Sequence, residues 1–250
     1  MSDQAIQLMH GDCLALMPLI PAGSVDCIIT DLPYSMTACA WDVLIPFEPM
    51  WSEYNRVSKK DAATVLTACG LFEAALKLSN AKDFRYEWIW NKVNLFGNLM
   101  NANSRPMRQH ENVLVFYRKQ PTYNPQMRQG VTYKCRGTGR IKVYGIKPPN
   151  TGNETGIAFP GTILPFKAVA PGERGLHPTQ KPVALLEYLI RTYTNEGDTV
   201  LDSCMGSAST GIACMRTGRK FIGIEKDETY FRVCQERVRD EQRQGRLFTV

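Results

Sequence analysis

Thr199-Val200-Leu201-Asp202-Ser203-Cys204-Met205-Gly206-Ser207-Ala208-Ser209-Thr210 is the stretch on which the fold turns. Its first three residues have the β-branched and apolar character of a short strand, and Asp202 ends it. Small residues from Gly206 to Ser209 then lead into an amphipathic segment through Ile212–Met215 that stops near Gly218. A strand delivered through a small-residue turn into a helix lets a ligand approach the backbone beside helix N-terminal N–H groups. Lys220-Phe221-Ile222-Gly223-Ile224 reads as the next strand, ended by Glu225, and an acid there is placed to accept hydrogen bonds from ribose hydroxyls. The two strand ends describe a nucleoside pocket; the competing reading is an ordinary strand–helix turn with a solvent-facing acid. The turn lacks the G-x-G-x-x-G spacing that favours pyrophosphate, and Asp202 would repel one, so a nucleoside bearing an amino acid fits better than a dinucleotide.

The same grammar extends outward on both sides. Thr179 can cap a helix whose Leu185, Leu186, Leu189, Ile190 and Tyr193 form an apolar stripe, and Asp227 can cap a final helix bearing Tyr230, Phe231, Cys234 and Val238. Upstream, strands are expected over Ile6–Met9, Val25–Thr30, Ala62–Thr67, Tyr86–Asn91 and Asn112–Tyr117. Helical stretches fall at Cys13–Leu19, Pro49–Val57 and Leu71–Ser79. Strands separated by helical crossovers imply an α/β fold, a mostly parallel sheet with helices on both faces.

Composition narrows the function. With 44% hydrophobic and 22% charged residues in 250, the chain is neither a disordered polymer nor a membrane protein, and no apolar run reaches the length of a spanning helix. Eight dispersed cysteines without a C-x-x-C pair, and only three histidines, argue against a disulfide scaffold or a zinc site, and no metal is expected. No secretory leader pattern opens the sequence, so a cytoplasmic location is expected. The net charge of +6 is unevenly spread: Arg105 to Lys147 holds ten Lys or Arg and one acid, Glu111, leaving the remainder slightly acidic. Interleaved Tyr117, Tyr123, Tyr133 and Tyr144 and several glycines suit a polyanion-binding face better than a merely solvated loop. Weak periodicity over 120–170, with strands at most around Val131–Tyr133 and Ile141–Tyr144, marks an insertion on the scaffold.

A second chemical site follows the apolar strand at Val25. Asp31-Leu32-Pro33-Tyr34 combines a carboxylate, a stiff proline and an aromatic ring. The acid and a backbone carbonyl can accept the two N–H bonds of an amino-bearing base while the ring stacks on its face. By pattern alone Tyr34 is equally a half-buried surface aromatic.

Together these segments resemble the amino-group DNA methyltransferases, which make N6-methyladenine or N4-methylcytosine from S-adenosylmethionine. Asp31-Leu32-Pro33-Tyr34 is similar to their D/S-P-P-Y tetrapeptide, Asp202 to Thr210 to their D-P-F-x-G-S-G-T-T cofactor motif, and His177-Pro178-Thr179-Gln180-Lys181-Pro182 to the segment that opens the preceding helix. Gly11-Asp12-Cys13-Leu14 matches the usual lead-in. With the catalytic motif before the cofactor motif, the order is that of the beta class, a circularly permuted Rossmann-like methyltransferase fold. The resemblance implies a methyltransferase domain built from 1–118 and 174–250, interrupted by a target-recognition region at 119–173. It implies catalysis by Asp31, Leu32 (through its carbonyl), Pro33 and Tyr34. Cofactor binding would fall to Asp12, Thr179, Lys181, Asp202, Gly206, Ser207 and Glu225. Contacts to double-stranded DNA would come from Arg105, Arg108, Arg128, Lys134, Arg136 and Arg140. A site-specific enzyme acting on adenine is expected because Asp opens the tetrapeptide, in a bacterial or phage-infected cell and often as a homodimer. The alternatives are an N4-cytosine enzyme, a methyltransferase for RNA or protein, and an inactive DNA-binding relative. Leu32 departs from the first proline of the tetrapeptide but keeps its carbonyl. Ser203, Cys204 and Ala208 stand where Pro, Phe and Gly are usual, which bears on cofactor affinity.

Overall fold

The computed structural model describes residues 5–35, 42–94, 97, 101–132, 155–170 and 180–247. They divide into two compact units, Met1–Asn124 with Thr162–Val250, and Pro125–Gly161. The outer parts of the stretch expected as an insertion, 119–124 and 162–170, therefore belong to the larger unit.

In the larger unit the chain runs β1 (Ile6–His10), α1 (Cys13–Leu16) with a 3-10 turn (Met17–Leu19), β2 (Val25–Thr30), α2 (Phe47–Val57), β3 (Ser58–Ala68), α3 (Gly70–Ser79), β4 (Phe84–Asn91) and β5 (His110–Phe116). The smaller unit contributes β6 (Arg128–Gln129) and β7 (Ile157–Ala158), an antiparallel pair. The chain then adds β8 (Ile163–Pro165), α4 (Val183–Tyr193), β9 (Thr199–Asp202), α5 (Ser209–Thr217), β10 (Lys220–Glu225) and α6 (Glu228–Leu247). Val131 and Thr132 lie in no strand, correcting that expectation; Tyr133 and 141–144 lie outside the described residues. Asp227 caps α6 as expected, its Oδ1 accepting from the N–H groups of Thr229 (2.8 Å) and Tyr230 (3.1 Å). The helix expected to follow a Thr179 cap instead begins at Val183 with Pro182 at its N-cap and no side-chain cap; Thr179 itself lies outside the described residues.

Eight strands form one sheet in the order β1-β10-β9-β2-β3-β5-β4-β8. Pairing is parallel from β1 through to β3 and again between β4 and β8, while β5 runs antiparallel to both β3 and β4. The two last strands of the chain thus sit between the first two. Because β2 and β9 run parallel in register (Cys27 opposite Val200, Ile28 opposite Leu201), their carboxyl ends emerge side by side. Gly223 opposite Asp202 and His10 opposite Glu225 bring the ends of β10 and β1 to the same edge. That edge is where ligands bind in open parallel sheets.

The period-two alternation of β2 explains the layers. Cys27 and Ile29 face a core built with Leu185, Leu189 and Ile190 of α4, Ile212 and Cys214 of α5, and Cys234 and Val238 of α6. Ile28 faces a second core with Met17 of the 3-10 turn, Met50 and Tyr54 of α2, and Phe72 and Leu76 of α3. Strands buried on both faces carry apolar residues in succession, as β2 does over Cys27-Ile28-Ile29. Among the described residues no helix is long and apolar enough to cross a membrane, and no group of three or more His, Cys, Asp or Glu is placed to hold a metal ion.

Candidate active site

The carboxyl edge of the sheet opens into a cavity of about 790 Å³, a size suited to small-molecule and cofactor sites. Its walls contain Asp12, Asp31, Leu32, Pro33, Tyr34, Lys181, Asp202, Gly206, Ser207 and Glu225. The ten described residues expected to carry catalysis or cofactor binding therefore share one cleft.

Each acid is held by the element it ends. Asp202, at the end of β9, is buried; its Oδ1 accepts from Thr30 Oγ1 (2.7 Å) on β2 and the Cys204 N–H (3.1 Å), and its Oδ2 from Thr210 Oγ1 (2.6 Å). Thr30 thereby ties the two chemical strand ends together. Burial lifts the Asp202 carboxyl to about 6, against the lowering effect of the two threonine hydroxyls, and the nearby charge of Asp31 adds to the rise. Glu225, at the end of β10, accepts from the Gly206 N–H (2.9 Å) through Oε2 and the Asp227 N–H (2.8 Å) through Oε1, and burial raises its pKa too. Their hydrogen-bond partners are hydroxyls and backbone N–H groups, and no cation pairs with either among the described residues. Two buried carboxylates without a counter-cation fit a ligand that brings positive charge of its own. Asp12 lies at the rim, accepting from the Leu14 N–H (2.9 Å) and paired with Lys226 at 3.1 Å.

The turn from Gly206 to Ser209 is braced from behind by α6. Cys234 Sγ donates to the Gly206 carbonyl at 2.8 Å. Arg237 Nη1 reaches the Ser207 carbonyl (2.8 Å) and the hydroxyls of Ser207 (3.2 Å) and Ser209 (2.9 Å). Ala208 sits in the left-handed region with φ of 57° at the N-cap of α5, a conformation that glycine adopts without strain.

At the other wall, Tyr34 donates its hydroxyl to Asp31 Oδ1 at 2.7 Å and Thr67 donates to the same oxygen. The Tyr34 ring stacks on Phe72 with centroids 4.8 Å apart, and burial drives its hydroxyl pKa well up. Lys181, expected near the cofactor, places its ammonium 2.5 Å from Asp31 Oδ2 and 3.4 Å from Glu111 Oε2. Glu111 in turn meets Lys92 at 2.5 Å. Although burial opposes it, the two lysines hold the Glu111 carboxyl down to about 2. Lys181 is raised despite its burial by the two carboxylates beside it.

Glu111, Lys92, Thr30, Thr67 and Arg237, none of them expected there, also build the site. Glu111 had one signal, as the lone acid in the basic stretch; Lys92, Thr30 and Thr67 depend on how the strands pair, and Arg237 on how α6 packs behind the turn. Of the residues expected on DNA, Arg105 is exposed, Arg108 donates from Nη1 to Cys69 Sγ (2.8 Å), and Arg128 in the smaller unit donates to the Phe159 carbonyl (3.1 Å). Lys134, Arg136 and Arg140 lie outside the described residues.

Comparison with known proteins gives a consistent picture. A family model described as DNA methylase, for N6 and N4 methyltransferases, matches residues 25–236. The DNA adenine methyltransferase YhdJ of Escherichia coli K12 is 30% identical over 253 residues, spanning 94% of this chain and 83% of the relative. The type II methyltransferase M2.LlaDCHI of Lactococcus lactis subsp. cremoris is 26% identical, spanning 92% and 88%. Among solved structures, the M1.HpyAVI–SAM complex superposes with a TM-score of 0.64 at 25% identity, covering 93% of this chain and 99% of that one. The cytosine-N4-specific PvuII DNA methyltransferase shares the fold, with a TM-score of 0.67 at 18% identity over 96% and 94%.

Proposed function

This chain belongs to the N6-adenine/N4-cytosine DNA methylase family, and from that membership we propose that it is a site-specific enzyme methylating the N6 amino group of adenine in duplex DNA. One observation carries the reading: Thr30 joins Asp202 to the end of β2, so Asp31 and Asp202 open into the same cleft. S-adenosylmethionine, the methyl donor, supplies a methyl group on an electrophilic sulfonium. Asp202, which no cation pairs among the described residues, would hold the amino-acid end of that nucleoside, Glu225 its ribose hydroxyls and Asp12 its base, with the Gly206–Ser207 backbone permitting close approach.

The target base must leave the duplex, at a cost of a few kcal/mol, and enter beside Tyr34. Asp31 and the Leu32 carbonyl accept its two amino hydrogens, which drives the nitrogen toward a pyramidal geometry with its lone pair free for attack. Tyr34, Thr67 and Lys181 fix the Asp31 carboxylate, and Pro33 stiffens the backbone that presents the Leu32 carbonyl. As the new N–C bond formed, the methyl carbon's bond to the sulfonium sulfur would break, the pair returning to sulfur as a neutral thioether that leaves, and the nitrogen would release one proton toward Asp31. Adenine is favoured by the acid that opens the tetrapeptide. The smaller unit, with its basic flanks, is assigned to target recognition, and two copies of the chain are the assembly to look for by analytical ultracentrifugation.

Expression in a methylase-free bacterial host followed by modified-base sequencing tests the assignment. N6-methyladenine in a defined sequence is expected; N4-methylcytosine would overturn the choice of base. Label transferred from tritiated S-adenosylmethionine to RNA or protein, but not to DNA, would overturn the substrate. Asp31→Ala should lose at least about 10³-fold in turnover while keeping cofactor affinity within about threefold.

A further inference from the structure

The cleft contains a chain of alternating charge, Lys92–Glu111–Lys181–Asp31, of which the proposed chemistry uses only the last member directly. Its origin is a strand register. In the antiparallel β4–β5 pair, Trp90 lies opposite Glu111, so both side chains leave the same face of the sheet. Lys92, two residues beyond Trp90, returns to that face and reaches Glu111 Oε1 diagonally at 2.5 Å. The other oxygen, Glu111 Oε2, is buried, lacks a hydrogen bond, and faces the Lys181 ammonium at 3.4 Å. Lys181 bonds Asp31 Oδ2 at 2.5 Å.

We propose that Glu111 is a positioning residue for the methyl-transfer reaction, acting through Lys181 to fix the Asp31 carboxylate and to keep the base end of the cleft electrically neutral. A lysine side chain has many rotamers and holds one place only when its ammonium is trapped between fixed partners. Glu111 is such a partner because Lys92, just past the end of β4, pins it in turn. The four groups sum to zero charge. Removing the Glu111 charge leaves two ammonium groups against one carboxylate, in a buried region where screening is weak. That excess of positive charge opposes the positive charge that grows on the attacking nitrogen. It also frees Lys181 to pull Asp31 from the direction the amino hydrogen requires, and misplacement of about 1 Å costs on the order of 10²-fold in rate. The acids of the cofactor end, Asp202 and Glu225, have other partners and should be little affected.

The inference rests on the methyltransferase reading, and the experiment separates the two. Wild-type protein, E111Q, E111D, K92Q and the E111Q/K92Q double variant are assayed with tritiated S-adenosylmethionine on genomic DNA from a methylase-free host. Cofactor affinity is measured by calorimetry and folding by Tm. E111Q is expected to lose about 10²-fold in kcat with cofactor Kd within about threefold, and E111D to recover to within about tenfold of wild type. K92Q should lose less, and the double variant no more than E111Q alone, because both act through one path. Wild-type kcat in E111Q overturns the proposal, as does an equal loss of kcat and cofactor affinity. Should E111Q not fold, E111D and K92Q decide: unchanged kcat in both refutes the relay. Wild-type protein that binds the cofactor yet labels no DNA would instead overturn the methyltransferase reading itself.

Discussion

Asp202 carries the clearest pH signature among single residues. Its carboxyl is lifted by burial to about 6, and only the anion can neutralise a cationic ligand. Cofactor affinity should therefore fall about tenfold per unit once pH drops below about 6, as measured by calorimetry; a flat profile through that range would remove Asp202 from the cofactor. Asp202→Asn should bind weakly at every pH. Ala208 offers the opposite kind of test. Its left-handed backbone costs about 1–2 kcal/mol, against roughly 0.4–1 kcal/mol of extra unfolded-chain entropy that glycine brings and about 0.8 kcal/mol for the buried methyl it loses, so Ala208→Gly should leave stability within about 1 kcal/mol of wild type in urea denaturation. At this scale the sequence already displayed Asp31, Asp202 and Glu225, because each ends a recognisable strand. Glu111 stayed hidden because Lys92 reaches it across a strand register, and Arg237 because it reaches the Ser207–Ser209 turn from α6.

Among the elements, β10 shows how closely strand and turn are packed. A Cβ on Gly223 would press on Met205 Sδ and the Phe221 ring inside ordinary contact distance. Gly223→Ala should thus cost about 1–3 kcal/mol in stability and also loosen cofactor binding, since Met205 precedes Gly206 in the turn; equilibrium denaturation and calorimetry read the two effects. Helices and most strands were legible from apolar period, as with β2, whose observed limits match the expected ones. β3 begins four residues earlier than expected because Ser58-Lys59-Lys60-Asp61 is polar and carries no strand pattern; Ser58 pairs with Val25, and after a register irregularity the ladder resumes with Ala63 opposite Cys27. The placement of β5 between β3 and β4 had no local signal at all, since it depends on which strands pair.

For the molecule as a whole, two buried carboxyls set opposing pH dependences. Asp202 binds its proton more tightly when folded, so its contribution to stability, up to about 3 kcal/mol, is largest below about pH 4 and is lost as pH rises through about 6. Glu111 is depressed from 4.5 to about 2, so its contribution, also about 3 kcal/mol, is complete above about pH 4.5 and lost as pH falls toward 2. Ligand-free protein should melt higher near pH 5 than near pH 8, and saturating cofactor should narrow that gap, as a Tm series with and without ligand would show. The basic segment predicts a steep salt dependence of DNA affinity: replacing Lys134, Arg136 and Arg140 with Gln should reduce the log–log slope by about 3 and leave cofactor affinity unchanged, read by fluorescence anisotropy.

The order of strands in the sheet differs from their order in the chain, and this constrains how the protein is made. Among the described residues β1 pairs only with β10, so during synthesis this strand waits for its partner until Lys220–Glu225 has left the ribosome. The nascent chain should stay open to proteases throughout that wait, with a bare strand edge that invites mispairing or chaperone capture. A ribosome stalled before Lys220 should display a digestible β1, and release of β10 should protect both strands in one step.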